Sequence, residues 1–334
     1  MIAFDSYLSA QPRHSKVAIL TNETLKPLYA DKLQAELLKR GFVTHLFSTP
    51  PGEAFKTRAR KEKLEDMMLA KGLGRDTCVI GLGGGVITDL AGFVASTYCR
   101  GVPLILIPTT LLAMVDASIG GKNGVNTPAG KNLIGTFYRP EQILMDLSLL
   151  STLPEKEILC GKAEMIKHAL IADADYLDEI EVSEKSIRKS IAIKQQIVAA
   201  DEKEQGKRRL LNFGHTIGHA AEMHLKISHG EAVAVGIAVE SILSNNLRYL
   251  SQKSLDRILH SLSAYPHHLL TYEMLDPFLR KDKKGTNQEP RFVLLQDIGF
   301  PLTFDGDYCT AVKDTDIKEA LACYASLSSV PRWI

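Results

Sequence analysis

The chain has 334 residues, 45% of them hydrophobic and 24% charged, which is enough for two domains that each bury a core. Its 40 basic and 39 acidic side chains nearly cancel, so bulk charge gives no reason to expect binding to nucleic acid or to an anionic membrane. Five scattered cysteines without a CxxC pair suit a reducing compartment. Neither a signal peptide nor a membrane span is evident, and we expect a soluble, cytoplasmic protein.

Strand and helix patterns alternate in the first part of the chain. Apolar residues recur at helical spacing between Leu25 and Leu37. The runs that have the pattern of strands are 16–22, 42–47, 77–85, 102–110 and 142–146. Such alternation is typical of a parallel sheet covered by helices. We therefore expect an α/β domain with a Rossmann-like sheet over residues 1–150.

The pattern changes after residue 150. From about residue 155 to 280 the apolar residues fall almost only at helical spacing, interrupted by Pro154 and Pro266. This predicts a second, mainly α-helical domain over residues 151–334. One short segment, 291–299, has the pattern of a strand or an extended hairpin.

A glycine-rich loop, "GLGGGVITDLAGF" (81–93), joins a predicted buried strand to a predicted helix. At such a junction backbone amides and the helix dipole bind a pyrophosphate. The loop departs from GxGxxG, because Val86 stands at the third glycine position and no acidic residue follows about 20 positions later. It indicates a nucleotide site, with a plain strand-to-helix turn as the alternative.

Histidines are concentrated between residues 210 and 235. His215 and His219 are four residues apart and so share one helix face, and His229 follows soon after. With Glu164 they form a donor set that suits a divalent metal with an open position, most simply zinc held by two histidines and one glutamate. Spacing alone also allows His219 or His168 as a ligand.

Cationic residues occur in three further segments. The glycine-rich stretch 116–137 carries Lys122, Lys131 and Asn132, residues 194–212 add Lys194 and Arg208, and residues 280–285 add more lysines. Each run alone is typical of a solvated surface. Beside a metal and a dinucleotide they indicate a small phosphorylated or carboxylated substrate.

Six segments together resemble one enzyme family. They occur in order over most of the chain: 52–56, 83–102, 107–137, 160–171, 201–222 and 229–236. On these motifs the sequence is similar to the 3-dehydroquinate synthases, sugar phosphate cyclases of the shikimate pathway. The resemblance implies conversion of 3-deoxy-D-arabino-heptulosonate 7-phosphate to 3-dehydroquinate and phosphate. The family's route is transient oxidation by bound NAD, β-elimination of phosphate, re-reduction and aldol closure.

The resemblance also implies site residues. Zinc, or cobalt in its place, would be held by Glu164, His215 and His229. NAD would lie against Glu53, Lys56, Gly84, Gly85, Val86, Asp89, Thr109 and Thr110, with Lys122 and Lys131 nearby. The implied catalytic residues are Lys122, Lys167, Lys194, Arg208, Asn212 and His219. The implied substrate contacts are Asp116, Lys131, Asn132, Lys284 (or Lys283) and, from the partner subunit of a homodimer, the residue that corresponds to Arg100.

Two positions depart from the family pattern. Thr88 replaces a glycine in the loop, which is tolerable if this position is already helical and points away from the pyrophosphate. Lys207 replaces a leucine in a GLR motif.

Three alternative functions stay open at this point. They are an NAD- and metal-dependent polyol or alcohol dehydrogenase, a cyclase of another sugar phosphate, and a catalytically dead homologue acting as a binding subunit.

Overall fold

A five-stranded parallel sheet organises the first of two compact units, which divide after Pro154. The computed structural model describes residues 16–279 and 289–327. The strands of this unit are β1 (Lys16–Asn22), β2 (Val43–Thr49), β3 (Thr77–Gly83), β4 (Leu104–Pro108), β5 (Lys122–Thr127), β6 (Gly130–Phe137) and β7 (Gln142–Ile143). The sheet has the order β2-β1-β3-β4-β7 and all its pairs are parallel. The predicted α/β class with a parallel sheet is confirmed.

Helices cover both faces of this sheet. They are α1 (Asp31–Lys39), α2 (Arg58–Ala70) and α3 (Gly85–Thr97). Alternate residues of β1 enter different hydrophobic clusters: Val17 packs with Leu37 of α1, and Ala18 packs with Leu64 of α2. Successive side chains of a strand point to opposite faces, so the nearly continuous apolar run of β1 reflects burial on both sides.

The strand order identifies where a ligand binds in sheets of this kind. The β5–β6 pair is a separate antiparallel sheet, so β7 counts as the fifth strand of the parallel sheet. The strand order is then 2-1-3-4-5, a doubly wound arrangement. It is distinct from the 3-2-1-4-5-6 order of dinucleotide-binding Rossmann domains. Its order reverses between β1 and β3, and ligands bind at the carboxyl ends of strands at such a point. The glycine loop follows β3 directly.

The β5–β6 hairpin was not predicted from the sequence. Its register pairs Lys122 with Phe137, and it is anchored by Asn123, whose buried side-chain amide donates to the carbonyls of Gly121 and Tyr138 at 2.9 Å each. A Cβ on Gly92 of α3 would lie 1.8 Å from Asn123 Oδ1. Glycine at position 92 therefore lets the hairpin pack on α3.

The second unit is mainly helical. Its helices are α4 (Glu155–Ala172), α5 (Glu184–Ala200), α6 (His215–Leu225), α7 (His229–Asn246), α8 (Gln252–Ser261), α9 (Tyr272–Leu279) and α10 (Asp314–Ser326). Helix α7 is the most buried of the described helices, because every residue from Ala232 to Ser244 is buried. It begins with a capping box in which Ser228 and Glu231 each bond the other's backbone N–H.

Helices α6 and α7 approach each other closely through glycines. A Cβ on Gly236 would lie 1.7 Å from the carbonyl oxygen of Gly214, and one on Gly218 would lie 2.9 Å from the carbonyl oxygen of Ala232. Gly214 also has a φ of 77°, a left-handed conformation that favours glycine. These glycines allow the starts of both helices to lie side by side.

The segment 291–299 forms two short strands rather than one. β8 (Arg291–Phe292) pairs with β11 (Thr310–Ala311), and β9 (Leu295–Asp297) forms a hairpin with β10 (Phe300–Pro301). Of the two predicted alternatives the hairpin is the one observed, turning at Gly299 with a φ of 82°. No helix within the described ranges is long and apolar enough to cross a membrane.

Candidate metal centre and dinucleotide-binding edge

Three side chains of the second unit converge in a potential metal site. The Nε2 atoms of His215 and His229 lie 3.4 Å and 3.2 Å from the same oxygen of Glu164, Oε1. Helix α4 carries Glu164, and His215 and His229 are the first residues of α6 and α7. The ligand atoms of all three lie within 4.8 Å of one another. Two imidazoles and a carboxylate are a donor set of catalytic zinc, so these residues fit the metal.

The other ring nitrogens are oriented by groups outside this set. His215 Nδ1 lies 3.1 Å from the carbonyl oxygen of Phe213, and His229 Nδ1 lies 3.6 Å from a carboxylate oxygen of Glu222. A proton on each Nδ1 would leave both Nε2 lone pairs directed at Glu164. This is the tautomer that Nε2 metal ligation requires, and such partners are typical of metal-binding histidines.

A close contact between α4 and α7 brings Glu164 and His229 together. Gly230 donates its backbone N–H to Cys160 Sγ at 3.1 Å, and a Cβ on Gly230 would lie 2.3 Å from Cys160 Cα. Cys160 and Glu164 are four residues apart and so lie on one face of α4. Any larger residue at position 230 would push His229 away from Glu164.

Glu164 is fully buried and yet ionised. Burial alone would raise the pKa of its carboxyl, but the ammonium of Lys167 and the ring of His215 hold that pKa well below its usual range. Lys167 Nζ forms a salt bridge with Oε2, the oxygen that does not face the histidines. Lys167, implied by the resemblance as a catalytic residue, is itself 1% exposed and contacts the carboxylate of the metal site.

The two alternative ligands border this cluster, and a possible ligand atom of His168 also lies within 4.8 Å of one of Glu164. His219 is exposed on the next turn of α6, and its ring centroid is 5.1 Å from that of His215 and 6.3 Å from that of His229. His168 is fully buried, and its Nδ1 bonds the hydroxyl of Ser190 at 2.7 Å. Of the ligand sets that spacing had left open, the geometry favours Glu164, His215 and His229.

The predicted cationic residues of the second unit differ in exposure. Lys194 on α5 and Arg208 are 5% and 2% exposed, and Arg208 bonds the carbonyl oxygen of Glu202. Asn212 is exposed and donates to Glu204 at 2.6 Å. Ammonium and guanidinium groups such as those of Lys194 and Arg208 are side chains that bind carboxylates and phosphates. Lys283 and Lys284 lie outside the described residues.

The glycine loop of the first unit lies at the carboxyl edge of its sheet. Gly84 caps α3 and Gly85 and Val86 form its first turn, where free backbone N–H groups attract phosphate. A Cβ on Gly84 would lie 2.9 Å from Thr110 Cγ2. The hydroxyl of Thr109 is buried without a hydrogen-bond partner in the described part of the chain. An unpaired hydroxyl beside a phosphate-binding turn fits a dinucleotide.

Thr88, the departure in this loop, lies inside α3. Its backbone N–H donates to Gly84 and its hydroxyl donates to the carbonyl oxygen of Gly85 at 3.0 Å. The position is therefore already helical, which is the first of the two conditions for a β-branched residue here. The side chain is 1% exposed and packs within the unit.

A polar network joins the remaining predicted NAD contacts. Lys56 is 4% exposed and bonds Asp89 of α3 as well as Asn132 Oδ1, the latter at 2.6 Å. Burial raises the pKa of Asp89, and the Lys56 ammonium opposes that rise. Glu53 accepts from Asn126 Nδ2 at 2.7 Å, and Asn126 Oδ1 accepts from the backbone N–H of Asn132 at 3.0 Å.

The other predicted residues of this unit lie on the hairpin and on irregular segments. Lys122 and Lys131 are exposed at the starts of β5 and β6, and Asp116 is half-buried in a π-helical turn at Ala113–Ala117. Arg100 is exposed in a run of three positive φ angles at Cys99, Arg100 and Gly101. Such strained backbone persists where surrounding structure enforces it and often marks functional sites.

Comparison with known families covers most of the chain. A family model described as 3-dehydroquinate synthase N-terminal matches residues 46–160, and its C-terminal counterpart matches residues 161–285. The chain belongs to the 3-dehydroquinate synthase family. A curated 3-dehydroquinate synthase from Nitrosomonas europaea is 43% identical over 303 residues, which are 85% of this chain and 82% of that protein. The resemblance inferred from the six motifs is confirmed.

Two solved structures are similar over nearly the whole chain. A 2-deoxy-scyllo-inosose synthase complexed with carbaglucose-6-phosphate, NAD+ and Co2+ has a TM-score of 0.87 at 27% identity, covering 96% of this chain and 94% of that one. The 2-epi-5-epi-valiolone synthase of Streptomyces hygroscopicus, with NAD+ and Zn2+ bound, has a TM-score of 0.84 at 30% identity, covering 94% and 92%. Both are cyclases with the same fold.

Sequence reasoning missed two polar residues of these sites. Asn126 positions both Glu53 and Asn132, and Glu222 lies against the second nitrogen of His229. Glu222 is seven residues after His215, so helical spacing places it on the same face of α6. The sequence thus contained a signal for Glu222, but none for Asn126, whose role depends on the unpredicted hairpin.

We expect His215→Ala to lose bound zinc, because one of three convergent donors is removed, whereas His219→Ala should keep it. Zinc content after dialysis against a weak chelator measures both, and circular dichroism checks that both variants fold. Loss of zinc from His219→Ala but not from His215→Ala would overturn the ligand assignment.

Zinc affinity should rise with pH. Although burial of His229 opposes its protonation, Glu164 and Glu222 raise its pKa to about 10 in the metal-free protein. Zinc must therefore displace a proton at any pH below that value, and affinity should increase roughly tenfold per pH unit between pH 6 and 8. Competition with a chromophoric chelator measures this slope. In Glu222→Gln the pKa of His229 should fall, because one of its two carboxylate partners becomes neutral, and an unchanged NMR titration of His229 in that metal-free variant would contradict the assigned cause.

Proposed function

We propose that the chain is a 3-dehydroquinate synthase, which converts 3-deoxy-D-arabino-heptulosonate 7-phosphate to 3-dehydroquinate and phosphate. The observation that carries this proposal is the convergence of Glu164, His215 and His229 in a chain that matches both family models. We propose NAD and zinc as cofactors, with cobalt as a functional substitute. The NAD+, Co2+ and Zn2+ in the two similar cyclase structures support this choice.

The cofactors would solve one chemical problem, since phosphate is a poor leaving group beside an unactivated carbon. When bound, NAD would accept hydride from C5 and return it, and zinc would lower the pKa of the C5 hydroxyl. The C5 ketone makes the C6 proton acidic, so that the C7 phosphate leaves by β-elimination. Ring opening and an intramolecular aldol closure then form the carbocycle.

The protein's own residues would mainly bind and orient the substrate. In the first unit, Gly84, Gly85 and Val86 offer backbone N–H groups to the pyrophosphate, while Glu53, Lys56, Asp89, Thr109 and Thr110 line the dinucleotide. Lys122, Lys131, Asp116 and Asn132 would reach the dinucleotide and the substrate. In the second unit, Lys194 and Arg208 would hold the carboxylate and the phosphate.

Few proton transfers are left for side chains. The departing phosphate can itself take the C6 proton, and His219, exposed beside the metal site, would donate a hydrogen bond to that phosphate. Lys167 keeps Glu164 ionised through its salt bridge, which maintains a charged ligand for the metal. Asn212 and one of Lys283 and Lys284 would complete the contacts to the substrate.

Another sugar phosphate cyclase is the second candidate. The two similar solved structures are named as cyclases with other products, and such enzymes would share the metal and NAD sites. The curated 3-dehydroquinate synthase is more similar in sequence, at 43% identity. A polyol dehydrogenase has less need of three buried cations, and Lys167, Lys194 and Arg208 are all buried. A dead homologue is disfavoured because the whole metal set is present.

Phosphate release tests the function directly. Purified, metal-loaded protein with catalytic NAD should release phosphate from 3-deoxy-D-arabino-heptulosonate 7-phosphate over many turnovers, without net change in absorbance at 340 nm. That result requires an internal redox cycle. NADH accumulating with a simple polyol, without phosphate release, would assign the chain to the dehydrogenases, and release only from a hexose phosphate would assign it to another cyclase.

We further propose a cytoplasmic homodimer in which the partner's counterpart of Arg100 contacts the substrate phosphate. Arg100→Ala and His215→Ala should each be nearly inactive. Refolding or co-expressing the two variants together forms heterodimers. Each heterodimer contains one complete site, because each variant supplies what the other lacks. The mixture should therefore regain roughly a quarter of wild-type activity per chain. An inactive mixture that contains heterodimers would show that Arg100 acts within its own subunit.

A further inference from the structure

Glu240 is a carboxylic acid in the most buried part of the second unit. It is the one charged side chain in α7 between Ala232 and Ser244, and it is 0% exposed. Burying a carboxyl group among apolar side chains is costly unless hydrogen bonds compensate it. The partners of Glu240 therefore indicate why it is there.

Those partners are backbone N–H groups at the start of α6. Oε2 accepts from Gly214 at 2.8 Å and Oε1 accepts from Ile217 at 3.3 Å, and the N–H of Thr216 also bonds the carboxyl group. The first N–H groups of a helix have no partner within the helix. Gly214, at the cap position, has no side chain to supply one. Glu240 caps α6 from a neighbouring helix.

The helix end that Glu240 holds carries a proposed metal ligand. His215 is the first residue of α6, directly after Gly214 and before Thr216 and Ile217. Its Nδ1 bonds the carbonyl oxygen of Phe213, so its ring orientation depends on the same short stretch of backbone. A first turn that frays or shifts would move His215 Nε2 away from Glu164 Oε1.

We propose that Glu240 is a positioning residue of the metal centre. It fixes the first turn of α6 by accepting three backbone hydrogen bonds and thereby holds His215 at the distance and angle that the metal requires. This inference rests on the metal centre of the proposed function, but not on the identity of the substrate. It differs from the role of Glu222, which lies against a ligand ring directly.

The close packing of α6 on α7 makes this arrangement feasible. Gly236 lies one turn before Glu240, and its lack of a side chain lets α7 touch the backbone of Gly214. Side chains four residues apart lie on the same helix face. The Glu240 carboxyl therefore reaches the start of α6 from the face on which the two backbones meet.

Three variants separate positioning from general stability. Glu240→Met keeps the length of the side chain and removes both strong acceptors, while Glu240→Gln keeps one acceptor oxygen. Ser244→Ala is the matched control, since this buried hydroxyl lies one turn further along α7 and accepts from the backbone N–H of Leu295 at 3.1 Å, away from α6. The readouts are zinc affinity by chelator competition, the visible spectrum of the cobalt-loaded protein, and thermal unfolding of the metal-free protein.

We expect Glu240→Met to weaken zinc binding at least tenfold, the range typical for loss of a group that orients a metal ligand. The ligand-field bands of its cobalt form should also shift. Glu240→Gln should show a smaller loss, and Ser244→Ala should keep wild-type affinity and spectrum even if its melting temperature falls. Wild-type affinity and spectrum in Glu240→Met would overturn the inference.

A measurement on the wild-type protein covers the case in which Glu240→Met does not fold. In the full-length, metal-free chain the amides of Gly214, Thr216 and Ile217 should exchange with deuterium as slowly as the helix interior, because Glu240 bonds them. Fast exchange would overturn the inference. Zinc binding without phosphate release would refute the proposed function and leave the role of Glu240 standing.

Discussion

The second unit depends on a single buried negative charge, that of Glu164. A fully buried carboxylate is tolerated only with compensating partners, and here an ammonium group occupies one oxygen while two imidazoles face the other. Three helices must meet closely for this to happen. The cluster of cations around one anion prepares the place for a divalent metal, because a metal would replace the charge of the protonated imidazole without disturbing Glu164 or Lys167.

The helix contacts that create this cluster depend on glycines. This explains why glycines accompany the histidines between residues 210 and 236. Gly214 and Gly236 touch backbone to backbone, and Gly230 does the same with Cys160. The histidine spacing and the family resemblance together predicted Glu164, His215 and His229 as metal ligands. These three side chains lie close together in the structure. The parallel sheet was predicted from the alternation of strand and helix patterns along the chain. The strands were recognisable as long apolar runs because both of their faces are buried.

What the sequence did not predict depends on contacts between distant segments. The β5–β6 hairpin was missed because its glycines and polar residues lack a two-residue alternation, and its stability comes from Asn123 packed in the space at Gly92. The role of Glu240 was missed for a similar reason. An acidic residue in an apolar helix has no interpretable partner until the start of another helix, 26 residues earlier, is seen beside it.

The two auxiliary carboxylates, Glu222 and Glu240, suit different tasks because of their surroundings. Glu222 is half-buried and faces a ring nitrogen, so its charge acts on the protonation of His229. Glu240 is fully buried and faces only backbone N–H groups. Burial raises its pKa to about 8 although those N–H groups oppose the rise. Protonation of Glu240 would leave one acceptor oxygen at the start of α6, as in Glu240→Gln, so the anchoring of His215 would weaken in part without being lost.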